Sequence, residues 1–167
     1  DWINENLNNN DIVILDLDSN ETYQKGHIPG ALHVIDNYFK TSLENRIHVQ
    51  NAIQIAKTFS DLGISSNTTV VGYDRSGSLY GFRLAWVLNF YGHSNVKVLD
   101  GGFPKWEHEN RSIQLESAQP NNRDNFIPNN PNVEIFSNKN ALIDILKSNS
   151  NYQILDVRSD DERKGIN

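Results

Sequence analysis

Val70-Val71-Gly72-Tyr73-Asp74-Arg75-Ser76-Gly77-Ser78-Leu79-Tyr80-Gly81-Phe82-Arg83 is the stretch whose reading decides the fold. It opens in a β-branched run that begins at Thr69 and reads as a buried strand. It closes into Leu84, Ala85, Val87 and Leu88, whose spacing with Phe82 is helical. The turn between them, Asp74 to Ser78, is small and polar. A strand that passes through such a loop into a helix presents unpaired backbone N–H groups at the positive end of the helix dipole. That arrangement suits an anion cradle, or a reactive side chain held over helix amides. The candidate cradle residues are Asp74, Arg75, Ser76, Gly77 and Ser78, and the chain contains no cysteine.

Outward from this stretch, strands alternate with helices. Ile12-Val13-Ile14-Leu15-Asp16-Leu17 is nearly continuous in apolar character, as expected of a parallel strand covered on both faces. Ser19 is placed to cap a short helical turn through Tyr23. Residues 51–62 carry apolar side chains at Ala52, Ile53, Ile55, Ala56, Phe59 and Leu62, an amphipathic helix stopped by Gly63. A helix from about Ser78 to Tyr91, a strand over 96–99 and a short helix with Pro104 in its first turn follow. The alternation predicts an α/β domain with a central parallel sheet covered by helices.

The character changes at Arg111. Residues 111–131 are rich in Asn, Gln, Ser and Pro, and read as an interdomain linker pinned by Ile113, Leu115, Phe126 and Ile127. A helix over 138–147 and a strand over 152–157 are expected beyond it. This last part repeats the first at an offset of 140: Ile3 pairs with Ile143, Ile14 with Ile154, Leu15 with Leu155, Asp16 with Asp156 and Ser19 with Ser159. The expected organisation is a domain over 1–110, a linker over 111–131, and over 132–167 the opening of a second, truncated copy.

Composition narrows the function. The 167 residues carry a net charge of −6 with basic residues scattered, which argues against an extended nucleic-acid footprint. Without cysteine there is no disulfide framework, thiolate metal site or thiol nucleophile. His33, His48, His93 and His108 lack ligand spacing, and His27 reads as a structural residue, so neither metal nor cofactor is expected. No apolar run is long enough to span a bilayer and the first residues do not resemble a signal peptide, so the expected setting is cytoplasmic.

Three ordered motifs carry a resemblance. Tyr23-x-x-x-His27-Ile28-Pro29-Gly30-Ala31 and Leu99-Asp100-Gly101-Gly102-Phe103-x-x-Trp106 flank the loop at 74–80, and together they resemble the rhodanese (sulfurtransferase) family. The likeness extends to its tandem-domain members, the thiosulfate and mercaptopyruvate sulfurtransferases. The resemblance implies a three-layer rhodanese-like domain plus the start of a second copy, with Asp74 standing where a catalytic cysteine would be. It implies that this first domain is the non-catalytic copy, and that Leu79 and Tyr80 meet the second domain of the same polypeptide. The implied chemistry is sulfane sulfur transfer through a cysteine persulfide, with small sulfur-containing anions as ligands of the intact protein. The chain by itself is then inactive. The alternative is a silent rhodanese-like binding or regulatory module; a phosphatase built on the related loop would need the missing cysteine.

Overall fold

The computed structural model describes residues 2–34, 49–121, 125–148 and 151–166. The chain divides into two compact units, the first ending at Asn132 and the second starting at Val133. His48 and the stretch 122–124 of the expected linker lie outside the described residues.

In the first unit the elements are α1 (Trp2–Glu5), β1 (Ile12–Asp16), α2 (Asn20–Gln24), β2 (Leu32–His33), α3 (Ala52–Asp61), β3 (Thr69–Tyr73), α4 (Leu79–Phe90), β4 (Val96–Val98) and α5 (Gly102–His108). The strands form one parallel sheet in the order β2-β1-β3-β4. β1 and β3 are its centre, in register from Ile12 opposite Thr69 to Asp16 opposite Tyr73. This is the α/β architecture expected from the alternation of strands and helices.

Local chemistry sets the element ends. Ser19 accepts the Thr22 N–H at the start of α2. Asn51 and Gln54 form a reciprocal capping box on α3, which ends before Gly63 at φ +71°. Successive strand side chains face opposite sides of the sheet. On one side Ile14, Val71 and Tyr73 pack with Ile3 of α1 and with Phe103 and Trp106 of α5. On the other, α4 comes so close that a Cβ at Gly72 would lie 2.7 Å from the Leu84 side chain. Leu84, Val87 and Leu88 are fully buried there, each side chain contributing roughly 1.5–3 kcal/mol of burial.

Residues 111–121 and 125–132 belong to the first unit and lie against it. Their anchoring differs from the expectation. Phe126 is buried, edge-on to Phe59 at 5.3 Å, but Ile113, Leu115 and Ile127 are exposed. Hydrogen bonds do the remaining work: Gln114 and His27 exchange backbone bonds of 3.0 and 2.9 Å, and the Ala118 N–H donates to the Tyr23 hydroxyl. An irregular segment must pair its backbone polar groups somewhere, and here it does so on the body of the unit.

The second unit contains a 3-10 turn (Val133–Ile135), α6 (Lys139–Lys147) and α7 (Asp160–Lys164). Asn138 caps α6, as the expected boundary requires. α7 lies 140 positions after α2, and Ser159 caps it as Ser19 caps α2. The expected strand over 152–157 does not form. Tyr152, Ile154, Leu155 and Val157 are 52–85% exposed, and among the described residues of this unit there is no neighbouring strand with which to build a ladder.

Candidate functional site

The three motifs of the sequence meet at the C-terminal ends of β1 and β3. β3 delivers Asp74, which is fully buried. Its Oδ1 accepts the N–H groups of Ser76 at 2.7 Å and Ser78 at 2.9 Å, and its Oδ2 accepts that of Gly81 at 2.9 Å. The amides expected to form an anion cradle are therefore occupied by the loop's own carboxylate. Ser78 adopts φ +69° as the chain turns into α4, and its side chain makes no cap bond to the helix. The Asp74 carboxylate takes over that capping role from four residues upstream.

The other two motifs hold the loop from beneath. The Asp74 carbonyl accepts the Phe103 N–H at 3.1 Å. Gly102, at φ +56°, passes so near that a Cβ would stand 2.3 Å from that carbonyl oxygen, and only glycine fits. Tyr73, just before the loop, receives the Ile28 N–H on its buried hydroxyl at 3.1 Å. Within the first motif the Tyr23 hydroxyl donates to the Ala31 carbonyl, and the Tyr23 ring stacks on His27 at 3.8 Å. His27 Nδ1 lies 2.9 Å from the Tyr23 carbonyl, so this buried histidine braces the turn.

Arg75 does not join the amides around the carboxylate. Its guanidinium donates to Asp18 Oδ2 at 2.6 Å and to the Gly26 carbonyl at 2.5 Å, lies 3.5 Å from Asp16, and sits 3.8 Å over the Phe103 ring. Two acidic groups and an aromatic face hold the Arg75 guanidinium at the end of β1 and not over the loop amides. Ser76 and Gly77 form the exposed tip, with Gly77 at φ +73°. Leu79 is 64% exposed, Tyr80 is half-buried, and Phe82, one turn on from Leu79, is 66% exposed.

Burial governs the electrostatics beneath the loop. It pushes the Asp16 carboxyl above its ordinary value, against the lowering influence of the Tyr73 hydroxyl, the Asp18 N–H and Arg75. Burial likewise raises the Tyr73 phenol, and the Asp16 charge adds to that shift. Sequence reasoning missed Gly81, Asp16 and Asp18 as parts of the site. The double Asp at the end of the first strand was the available signal for the last two. Among the described residues no cluster of His, Asp and Glu is placed to hold a metal ion, and no helix is long and apolar enough to cross a membrane.

The arrangement offers converging amides, and the carboxylate of Asp74 fills the position they surround. Known proteins show where it belongs. The sequence profile of the rhodanese-like domain matches residues 1–109. A protein of Saccharopolyspora erythraea, provisionally named a thiosulfate sulfurtransferase, is 32% identical over 99% of this chain and 57% of its own length. Thiosulfate/3-mercaptopyruvate sulfurtransferase 2 of Arabidopsis thaliana is 36% identical over 68% of this chain and 36% of its own. The 3-mercaptopyruvate sulfotransferase SseA of Escherichia coli shares the fold, with a TM-score of 0.74 at 20% identity, over 89% of this chain and 60% of its own. The chain thus spans little more than half the length of the first of these relatives. With the profile covering the sheet, all three motifs and the loop between them, the chain belongs to the rhodanese-like family.

Proposed function

We propose that this chain is the amino-terminal, non-catalytic part of a two-domain thiosulfate/3-mercaptopyruvate sulfurtransferase and transfers no sulfur by itself. The observation that carries the proposal is Asp74, whose carboxylate occupies all three converging amides at the head of α4. In persulfide chemistry a thiolate attacks the sulfane sulfur of thiosulfate, the S–S bond breaks, and sulfite departs with the electron pair. Cyanide then takes the sulfur as thiocyanate and the thiolate returns. A carboxylate at the loop can accept the same N–H groups but forms no persulfide. The names of the relatives, their greater length, and the resemblance of 152–159 to the first strand and cap support a second, cysteine-bearing copy elsewhere in the same polypeptide.

In this reading Leu79 and Tyr80, which leave the loop beside the helix N-terminus, contact the second domain, and small sulfur-containing anions bind to the intact protein. A cytoplasmic setting belongs to the same proposal. The test is thiocyanate formation from thiosulfate and cyanide, by this chain and by a polypeptide extended through a second copy with a cysteine-led loop. Turnover is expected from the extended polypeptide alone. Turnover by the cysteine-free chain would refute the persulfide reading, and silence from both would favour a binding module.

A further inference from the structure

The end of β1 reads Asp16-Leu17-Asp18, and 140 positions later the chain reads Asp156-Val157-Arg158. In the second stretch the arginine is local: Arg158 Nη2 and Nε reach the two oxygens of Asp156 at 2.7 and 2.9 Å. In the first stretch position 18 is an aspartate, and the cation near Asp16 arrives from the loop after β3. Arg75 Nη1 lies 3.5 Å from Asp16 and 2.6 Å from Asp18, and its backbone N–H points to Asp18 Oδ1 at 3.3 Å. Both stretches thus set an arginine beside the matching aspartate, from two residues on in the second and from the loop after β3 in the first.

The difference has a mechanical consequence. A local pair such as Asp156 with Arg158 ties a short stretch of chain to itself. A pair between Asp18 and Arg75 ties the loop to β1 across 57 residues of sequence. The pair is well shielded, with side-chain exposures of 23% for Arg75 and 9% for Asp18, so solvent screens it far less than a surface bridge. Both partners are fixed at their far sides. Arg75 also holds the Gly26 carbonyl and lies over Phe103, while the Asp18 carbonyl is 3.0 Å from His33 Nε2.

We infer that Arg75 is a positioning residue: its pairing with Asp18, and not the Asp74 carboxylate alone, holds residues 74–81 in the form where three amides converge and Leu79 and Tyr80 are presented in a fixed orientation. What those two side chains are presented to rests on the proposed two-domain reading; the tether itself does not.

Amide hydrogen exchange on the 167-residue chain tests it. Asp18→Ala cuts the tether while leaving Asp74 and its three N–H donors in place. Exchange at Ser76, Ser78 and Gly81 should quicken by roughly tenfold or more, as expected for losing a charge-assisted bond. Exchange at Ile14 and Val71 in the sheet should stay within about threefold of the parent, a margin far smaller than loss of such a bond produces. The transposed chain, Asp18→Arg with Arg75→Asp, puts the cation where Arg158 stands in the second copy and restores the bridge with its ends exchanged. It should return the loop amides most of the way to parental protection. A purely local role for either residue would not give that rescue.

Unchanged loop exchange in Asp18→Ala, or a transposed chain as fast as the single variant, would overturn the inference. Should Asp18→Ala fail to fold, the transposed chain compared directly with the parent decides: parental loop protection supports the tether and its loss opposes it. Neither result touches the thiocyanate assay, so the tether and the two-domain reading fail separately.

Discussion

Replacing Asp74 with alanine strips the N–H groups of Ser76, Ser78 and Gly81 of their carboxylate acceptor, and the bonds from Ser78 and Gly81 are buried. The bonds from Ser76, Ser78 and Gly81 are 2.7–2.9 Å long and run to a side chain with no exposed surface. An orphaned buried donor costs about 1–3 kcal/mol, more toward the upper end where the lost acceptor was charged. Three neighbours that share one acceptor do not add fully, so the expected loss is about 3–5 kcal/mol. Asparagine should cost less. Its carbonyl can keep Ser76 and Ser78, but its amide nitrogen then faces the Gly81 N–H, donor against donor, for a loss of about 1–3 kcal/mol. Urea unfolding followed by tryptophan fluorescence measures both, provided that the slope of the transition is unchanged. An alanine variant within about 1 kcal/mol of the parent, or asparagine as costly as alanine, would refute this account.

Gly102→Ala should destabilise by more than about 2 kcal/mol, because a positive φ alone costs roughly 1–2 and the new Cβ would meet the Asp74 carbonyl. Gly77→Ala is the control: φ is also positive, nothing lies within 4 Å of its Cβ, and only the conformational cost remains. For Asp16 the sign follows from its raised carboxyl. The native state holds that proton more readily than the unfolded chain, so its ionised form burdens the fold at neutral pH and the burden lifts as pH falls through the raised native value toward 3.8. The stability of the parent relative to Asp16→Asn should therefore improve on acidification; a flat or opposite trend in urea midpoints would contradict the burial argument. His93 runs the other way, since burial lowers it from 6.5 and the native state resists protonation. Its contribution is whole above pH 6.5 and declines below it, and the fall should be smaller in His93→Gln, with exchange at Phe126, whose ring meets His93 edge-on at 5.8 Å, reporting the change.

What could be read from the sequence was what short-range chemistry decides. The runs at Ile12–Asp16 and Thr69–Tyr73 are largely apolar because both sheet faces are covered, and the helices expected after Ser19 and from positions 51 and 138 begin at Ser19, Asn51 and Asn138, each bonded to the N–H three positions on. The expected strand over 152–157 shows where that reading stops. Ile154, Leu155 and Asp156 match Ile14, Leu15 and Asp16 of β1, which is a strand because Leu15 has Leu32 on one side and Gly72 on the other. Identity of sequence supplies the side chains of a ladder but not its neighbours. The segment after Arg111 makes the same point with polar groups: its isolated apolar residues suggested the anchors, and the partners of Gln114 and Ala118, roughly 90 positions earlier in the chain, could not be seen.

The loop was visible as a loop, and its contents were not. Glycine, serine and a helix ahead announce free amides, and the sequence placed Asp74 at their mouth, but the reach to Gly81 depends on how sharply Ser78 turns the chain into α4. Arg75 illustrates the general difficulty. A cation in a loop of amides can serve an anion or pair with an Asp or Glu, and the sequence does not name that partner. Its actual partners come from the end of β1 and the turn at Gly26, brought close only by the parallel pairing of β1 with β3. Once that pairing is formed, Asp18 lies 2.6 Å from the guanidinium in a well-shielded pair. The same pairing that builds the cradle therefore removes its cation, and the carboxylate of Asp74 removes its vacancy.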